Sequence, residues 1–322
     1  MTELRHGWFE KTIPPQYQLK LFYKSNQGTV IMRVLIVTDL EGVNGVLNFS
    51  DWCTPEGLRN EAGCRFLTEE VNAAVKGFFN AGATEVIVAD GHGSGGSIRG
   101  EILDKRAALQ RGLKLSPIYH DNCDVAAFIG QHAKAGTANA HLAHTQTEEA
   151  IDFRINGLSV GEFGQLAYAF FERNIPVIFA SGDLALTHEA SDLVAGIYTS
   201  AVKEGFNAPL DAACPADEVM ERQSAALHYP REQVLLDIEN KCFAALQKYA
   251  TSPEAFTIKP LTKPYRAEAE YRATSTKLSR VTGHLPARKI ITSYHDTVAG
   301  VFCEFYGKLE WGKVEGEHYK II

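Results

Sequence analysis

The chain has 322 residues, 45% of them apolar and 22% charged, and a formal net charge of −7. That is enough apolar material to bury a sizeable core without covalent staples, in one large domain or two. The acidic balance and the scattering of Lys and Arg exclude the clustered basic surface of a nucleic-acid binder, and no apolar stretch approaches the roughly 20 residues that span a bilayer.

Residues 1–31 carry Pro14-Pro15, mixed polar residues and no clear period. With no apolar signal core, they read as an extension upstream of the fold. Deleting them is expected to leave activity and melting temperature largely unchanged. A collapse of the melting temperature on deletion would show that they pack on the core.

From Met32 the pattern alternates strand and helix. Val34 to Asp39 is a continuous aliphatic and β-branched run, the mark of a strand covered on both faces. Glu61 to Asn80 places Leu67, Val71, Val75 and Phe78 on one helical stripe, and Gly82 follows its end as a stop signal. Buried-type strands recur at Glu85 to Asp90, Val125 to Gly130 and Val177 to Ser181, and a helix spans Glu162 to Arg173. Asn156-Gly157, flanked by two short apolar runs, is a hairpin signal. This alternation predicts an α/β fold, a mostly parallel sheet with helices on both faces.

The last third mixes a long helix over Arg231 to Tyr249, strands at Arg266 to Arg272 and Lys289 to Tyr294, and a helix from Val298 to Leu309. It reads as a smaller α+β domain. The expected division is 1–31 as extension, 32–205 as a metal-binding α/β domain and 206–322 as the smaller domain.

Six cysteines include no C-x-x-C pair. A zinc knuckle or thioredoxin-type site is therefore not indicated, and free thiols in a reducing, cytoplasmic setting are expected.

Ligands of open α/β sheets bind beyond the carboxyl ends of the strands. Here the first strand ends in Asp39-Leu40-Glu41-Gly42, the second in Asp90-Gly91-His92-Gly93 and the third in Gly130-Gln131-His132. Three strands thus deliver carboxylates and imidazoles to one rim, which core packing does not require. Such a mixed nitrogen and oxygen donor set suits zinc, with manganese or cobalt as alternatives. Glu162, in V-G-E-F-G, would by itself read equally well as a first-turn glutamate favoured by the helix dipole. The Gly91 to Gly96 run lacks the lysine of a phosphate loop and the spacing of a dinucleotide fingerprint. Asp90 reads as an acid that supports the ligands or the fold rather than as a ligand. Ser181-Gly182-Asp183, ending the fourth strand, either lines the site or makes a turn.

The segments V-T-D-L-E-G-V-N-G-V, V-A-D-G-H-G, F-I-G-Q-H-A-K-A-G-T, L-A-H-T and V-G-E-F-G-Q-L-A-Y, in this order, resemble the DppA-type D-aminopeptidase family of zinc metallopeptidases. The resemblance runs over roughly Met32 to Glu189 and thins beyond about residue 200. It implies two zinc ions per subunit, held by Asp39, Glu41, His92, His132 and Glu162, with Asp39 bridging them. It also implies His144 as the catalytic residue, although His141 lies three residues away. Short peptides with D-amino acids at the N-terminus are the implied substrates, and self-assembly into a homo-oligomer the implied state. A two-metal hydrolase of another amide or of a phosphoester is the nearest alternative. Lys134 is the one obvious basic residue beside a ligand, which ranks phosphoesters lower. A non-catalytic metal-binding protein on the same fold is the third reading.

Overall fold

The structure is a computed structural model that describes residues 32–93, 95–111, 122–273 and 289–307. The expected extension over 1–31 lies outside the described residues. The chain runs β1 (Arg33–Thr38), α1 (Asn60–Asn80), β2 (Glu85–Asp90), β3 (Ala108–Gln110), β4 (Val125–Gln131), β5 (Ala150–Ile155), β6 (Leu158–Ser159), α2 (Glu162–Phe171), β7 (Val177–Asp183) and α3 (Leu184–Leu193). It continues with β8 (Val194–Ala195), β9 (Tyr198–Gly205), α4 (Ala216–Arg222), β10 (Ala226–His228), α5 (Arg231–Thr251), β11 (Thr257–Ile258), β12 (Tyr265–Tyr271), β13 (Lys289–His295) and α6 (Val298–Gly307).

The principal sheet has seven strands in the order β10-β9-β7-β4-β1-β2-β3. All its pairings are parallel except that of β10 with β9. This is the mostly parallel α/β sheet that the strand–helix alternation predicts. Successive residues of β1 point to opposite faces. Val34 and Ile36 join one core with Leu67, Val71 and Phe78 of α1 and Ile238 and Cys242 of α5. Leu35 and Val37 join a second core with Phe163 and Phe170 of α2 and Leu186 and Ala190 of α3. Both faces are covered, which explains why Val34–Val37 of β1 and Val125–Ile129 of β4 are apolar at successive positions rather than at alternate ones.

A smaller sheet, in the order β13-β12-β5-β6, shares the second core through Phe153, Ala267, Ala269 and Tyr271. It takes β5 and β6 from before residue 205 and β12 and β13 from after it. The β5–β6 turn is the one its sequence signals: Asn156 and Gly157 have φ of 51° and 84°, the paired positive angles of a tight hairpin turn. No helix among the described residues is long and apolar enough to cross a membrane.

Candidate metal centre

The sheet order reverses beside β1: β2 and β3 lie to one side, and β4, β7 and β9 to the other. Such a reversal opens a crevice at the carboxyl ends of the two central strands. Asp39 leaves β1 there and His132 leaves β4. Glu41 sits in the turn after β1, and His92 in the loop after β2. His144 comes from the connection between β4 and β5, and Glu162 is the first residue of α2.

The turn carrying Asp39 and Glu41 is wedged against β4. Asp39 N donates to Ile129 O at 2.9 Å and Gly42 N to Gly130 O at 2.8 Å. A Cβ on Gly42 would stand 1.9 Å from the Gln131 carbonyl oxygen, so only glycine allows this approach. From below, the fully buried Lys203 of β9 donates through Nζ to the carbonyls of Glu41 (2.6 Å), Val43 (3.0 Å) and Val46 (3.4 Å). Burial pushes its ammonium down to about 8. Gly42→Ala is expected to destabilise the fold by ~3 kcal/mol, the upper end of the usual cost of overpacking, and to loosen the site. Urea denaturation of the purified variant reads the loss directly, and an unchanged midpoint would contradict the wedge.

Two groups of side chains meet across the crevice. Asp39, Glu41 and His92 form one and His132, His144 and Glu162 the other, with one potential ligand atom of each residue within 4.8 Å of the others in its group. Asp39 faces both: Oδ1 lies 3.0 Å from His92 Nδ1, and Oδ2 lies 3.4 Å from His132 Nε2. Gln131 Nε2 donates to Asp39 Oδ2 at 2.7 Å and so orients that carboxylate.

Each imidazole has one nitrogen on a backbone carbonyl, which can only accept. His92 Nε2 therefore donates to Cys53 O at 2.8 Å, His132 Nδ1 to Ala133 O at 3.0 Å and His144 Nδ1 to Leu142 O at 2.9 Å. The opposite nitrogens all face carboxylates. His92 Nδ1 is 3.0 Å from Glu41 Oε2, His132 Nε2 is 3.5 Å from Glu162 Oε1, and His144 Nε2 is 3.7 Å from the same oxygen. Lone pairs facing carboxylate oxygens require a proton or a metal cation between them. A carbonyl-anchored histidine of fixed tautomer is also the usual form of a metal-ligating imidazole.

Charge in the crevice tells the same story. Burial, reinforced by Glu41, raises the Asp39 carboxyl to about 7. Burial alone would lower the His132 imidazole, but Glu162, Asp39 and Glu41 outweigh it and lift it to about 10. His92 is likewise carried well above its ordinary value, against its burial, by Glu41 and Asp39. A field that holds protons this firmly acts equally on a metal cation. Burial, then the charge of His132, lowers His144 instead and favours its neutral form. Glu41 Oε2 and His132 Nε2 are buried without a hydrogen-bond partner. Orphaned donors of this kind, in a set of imidazole nitrogens and carboxylate oxygens, fit a metal such as zinc.

All six residues singled out from sequence thus lie in one crevice. His144 is more intimately placed than an isolated proton shuttle would be. Its ring stacks on that of His132, with centroids 4.0 Å apart and planes 9° apart, and Phe49 meets it edge-on at 6.2 Å. Two residues in the left-handed region serve it and its neighbour. Leu142 (φ 52°) supplies the carbonyl on His144, and Gln146 (φ 64°) donates its N–H to Glu162 Oε1 at 2.7 Å. Strain at non-glycine residues of this sort concentrates at functional sites. His141 lies apart, fully buried, with Nε2 donating to Leu47 O at 2.9 Å. Asp90 is structural: its Oδ2 accepts from Ile98 N at 2.9 Å. Asp183 caps α3 through Leu186 N and also accepts from His141 N at 3.1 Å.

Comparison with known proteins places the chain in a family. Residues 32–299 match the family model described as D-aminopeptidase. The D-aminopeptidase of Bacillus subtilis (strain 168) is 33% identical over 178 residues, which are 54% of this chain. That match spans 64% of the relative's own length, somewhat under two thirds. A solved structure described as the "Zn-dependent D-aminopeptidase DppA from Bacillus subtilis, a self-compartmentalizing protease" superposes with a TM-score of 0.68 at 22% identity, covering 87% of this chain and 99% of that one. With more than half of its length matched by the family model, the chain belongs to the D-aminopeptidase family.

Proposed function

We propose that the chain is a dinuclear zinc aminopeptidase that hydrolyses short peptides, preferring D-amino acids at the N-terminus. The observation that carries this reading is the pair of largely buried ligand groups that face one another, with Asp39 Oδ2 of the first 3.4 Å from His132 Nε2 of the second. Asp39, Glu41 and His92 would hold one ion, and His132 and Glu162 the other, with Asp39 placed between them. Bound zinc supplies Lewis acidity towards the peptide carbonyl and a nucleophile at neutral pH. Asp39 keeps the two halves in register, and Gln131 fixes its rotamer. His144, favoured neutral and anchored at Nδ1 by Leu142 O, presents Nε2 to take a proton from the attacking water and deliver it to the departing amine.

The solved relative's description as self-compartmentalizing supports a homo-oligomer here. So do Leu236 and Phe243, two turns apart on one face of α5 and 58% and 42% exposed. The cysteines Cys53, Cys64, Cys123, Cys214 and Cys242 are free and buried, which suits a reducing cytoplasm.

Paired D- and L-peptides of the same composition, offered to the zinc-loaded protein, test the assignment. Faster release of an N-terminal D-residue is expected. Preference for the L-series, or hydrolysis of phosphoesters alone, would overturn it.

A further inference from the structure

Three segments carry the second ligand group: His132-Ala133-Lys134 after β4, the His144 connection, and Gly161-Glu162 at the start of α2. They are not neighbours in sequence, and no regular strand pairing fixes their separation. Helix α3 touches all three. Its N-cap, Asp183, accepts from His141 N at 3.1 Å, beside the His144 turn. Its Glu189 accepts from Lys134 N at 2.9 Å through Oε2 and from Gly161 N at 3.1 Å through Oε1. One carboxylate thus spans the backbone two residues after His132 and the backbone immediately before Glu162. The contact is close on every side. A Cβ on Gly161 would fall 2.8 Å from Lys134 Cβ and 2.9 Å from Glu189 Oε1. Lys134 Nζ adds a second stitch, to Ser159 O at 3.1 Å.

We propose that Glu189 is a positioning residue for one half of the metal centre: it sets the distance between His132 and Glu162, and its loss weakens one of two bound metal ions selectively. The inference rests on the dinuclear reading above. Only an acceptor at both ends of the side chain can do this. A glutamine of the same shape keeps one acceptor oxygen and turns an N–H₂ towards a backbone N–H, so one loop is released while the helix and its packing remain. The group formed by Asp39, Glu41 and His92 has its own supports, the Gly42 wedge and the Lys203 ammonium, whose hydrogen bonds go to the turn after β1 and not to Glu189.

Zinc titration of the full-length chain against a competing chelator tests this, with wild type, Glu189→Gln, His132→Ala and the double variant side by side. Wild type should take up two ions tightly. Glu189→Gln should keep one at wild-type affinity and hold the other about 10- to 100-fold more weakly, the usual cost of losing an outer partner of a metal site. In the His132→Ala background the same substitution should change nothing further. Val234→Ala, which trims the core under α5 and removes none of the Glu189 hydrogen bonds, controls for stability: at an equal drop in melting temperature it should leave both affinities intact. Equal weakening of both ions, no weakening, or the same loss in Val234→Ala would overturn the role of Glu189 while leaving the dinuclear reading in place. A wild type that binds no zinc would overturn both.

Discussion

Replacing His132 by Ala is expected to cost the protein one of its two metal ions and nearly all of its turnover. His132 Nε2 is buried, without a hydrogen bond, and 3.4 Å and 3.5 Å from Asp39 Oδ2 and Glu162 Oε1. Its Nδ1 is committed to Ala133 O, so no rotation of the ring supplies another use for that lone pair. Alanine leaves two carboxylates facing an empty pocket with no nitrogen donor from β4. The loss of affinity should exceed the roughly 10- to 100-fold typical of partners outside the ligand set. Metal content after dialysis against a chelator, measured beside kcat, checks this. Full metal content with low turnover would reassign His132 as a proton carrier.

Replacing His144 by Ala should act on the reaction instead. Both metals should remain while kcat falls about 100- to 10,000-fold, the range of a lost general acid–base. His144 stands close enough to His132 and Glu162 to make the alternative sharp: loss of one metal in His144→Ala would make it a third ligand of the second group. His141→Ala is the control. Because His141 is fully buried and holds Leu47 O, its removal leaves a carbonyl unpaired and should cost ~1–3 kcal/mol of stability with kcat nearly intact. A dead His141→Ala beside an active His144→Ala would reverse the assignment.

Much of this centre was legible in the sequence because β1, β2 and β4 are buried on both faces. Their unbroken apolar runs mark the strands, and the first polar residues after each run fall at the carboxyl rim. Asp39, Glu41, His92 and His132 are found that way. Glu162 and His144 are not: one opens a helix and the other lies in an irregular connection, and only the family resemblance singled them out. The supports of the site are less visible still. Cys53, Ala133 and Leu142 act through backbone carbonyls, which every residue type carries. The left-handed conformations of Leu142 and Gln146 break the expectation that glycine occupies such positions. Strand β9 is harder again, because Lys203 in its middle reads as a solvent-facing charge. It is buried since the carbonyls that receive it come from a turn some 160 residues earlier in the chain. Glu189, on a helix of weak amphipathic pattern, likewise has a reason only once the loops from β4 and α2 are brought together.

Anomalous X-ray scattering at the zinc edge, from crystals of the zinc-loaded chain, tests the dinuclear centre most directly. Two peaks per chain are expected, one among Asp39, Glu41 and His92 and one beside His132 and Glu162, with the Asp39 carboxylate between them. A single peak, peaks away from this crevice, or none would contradict it.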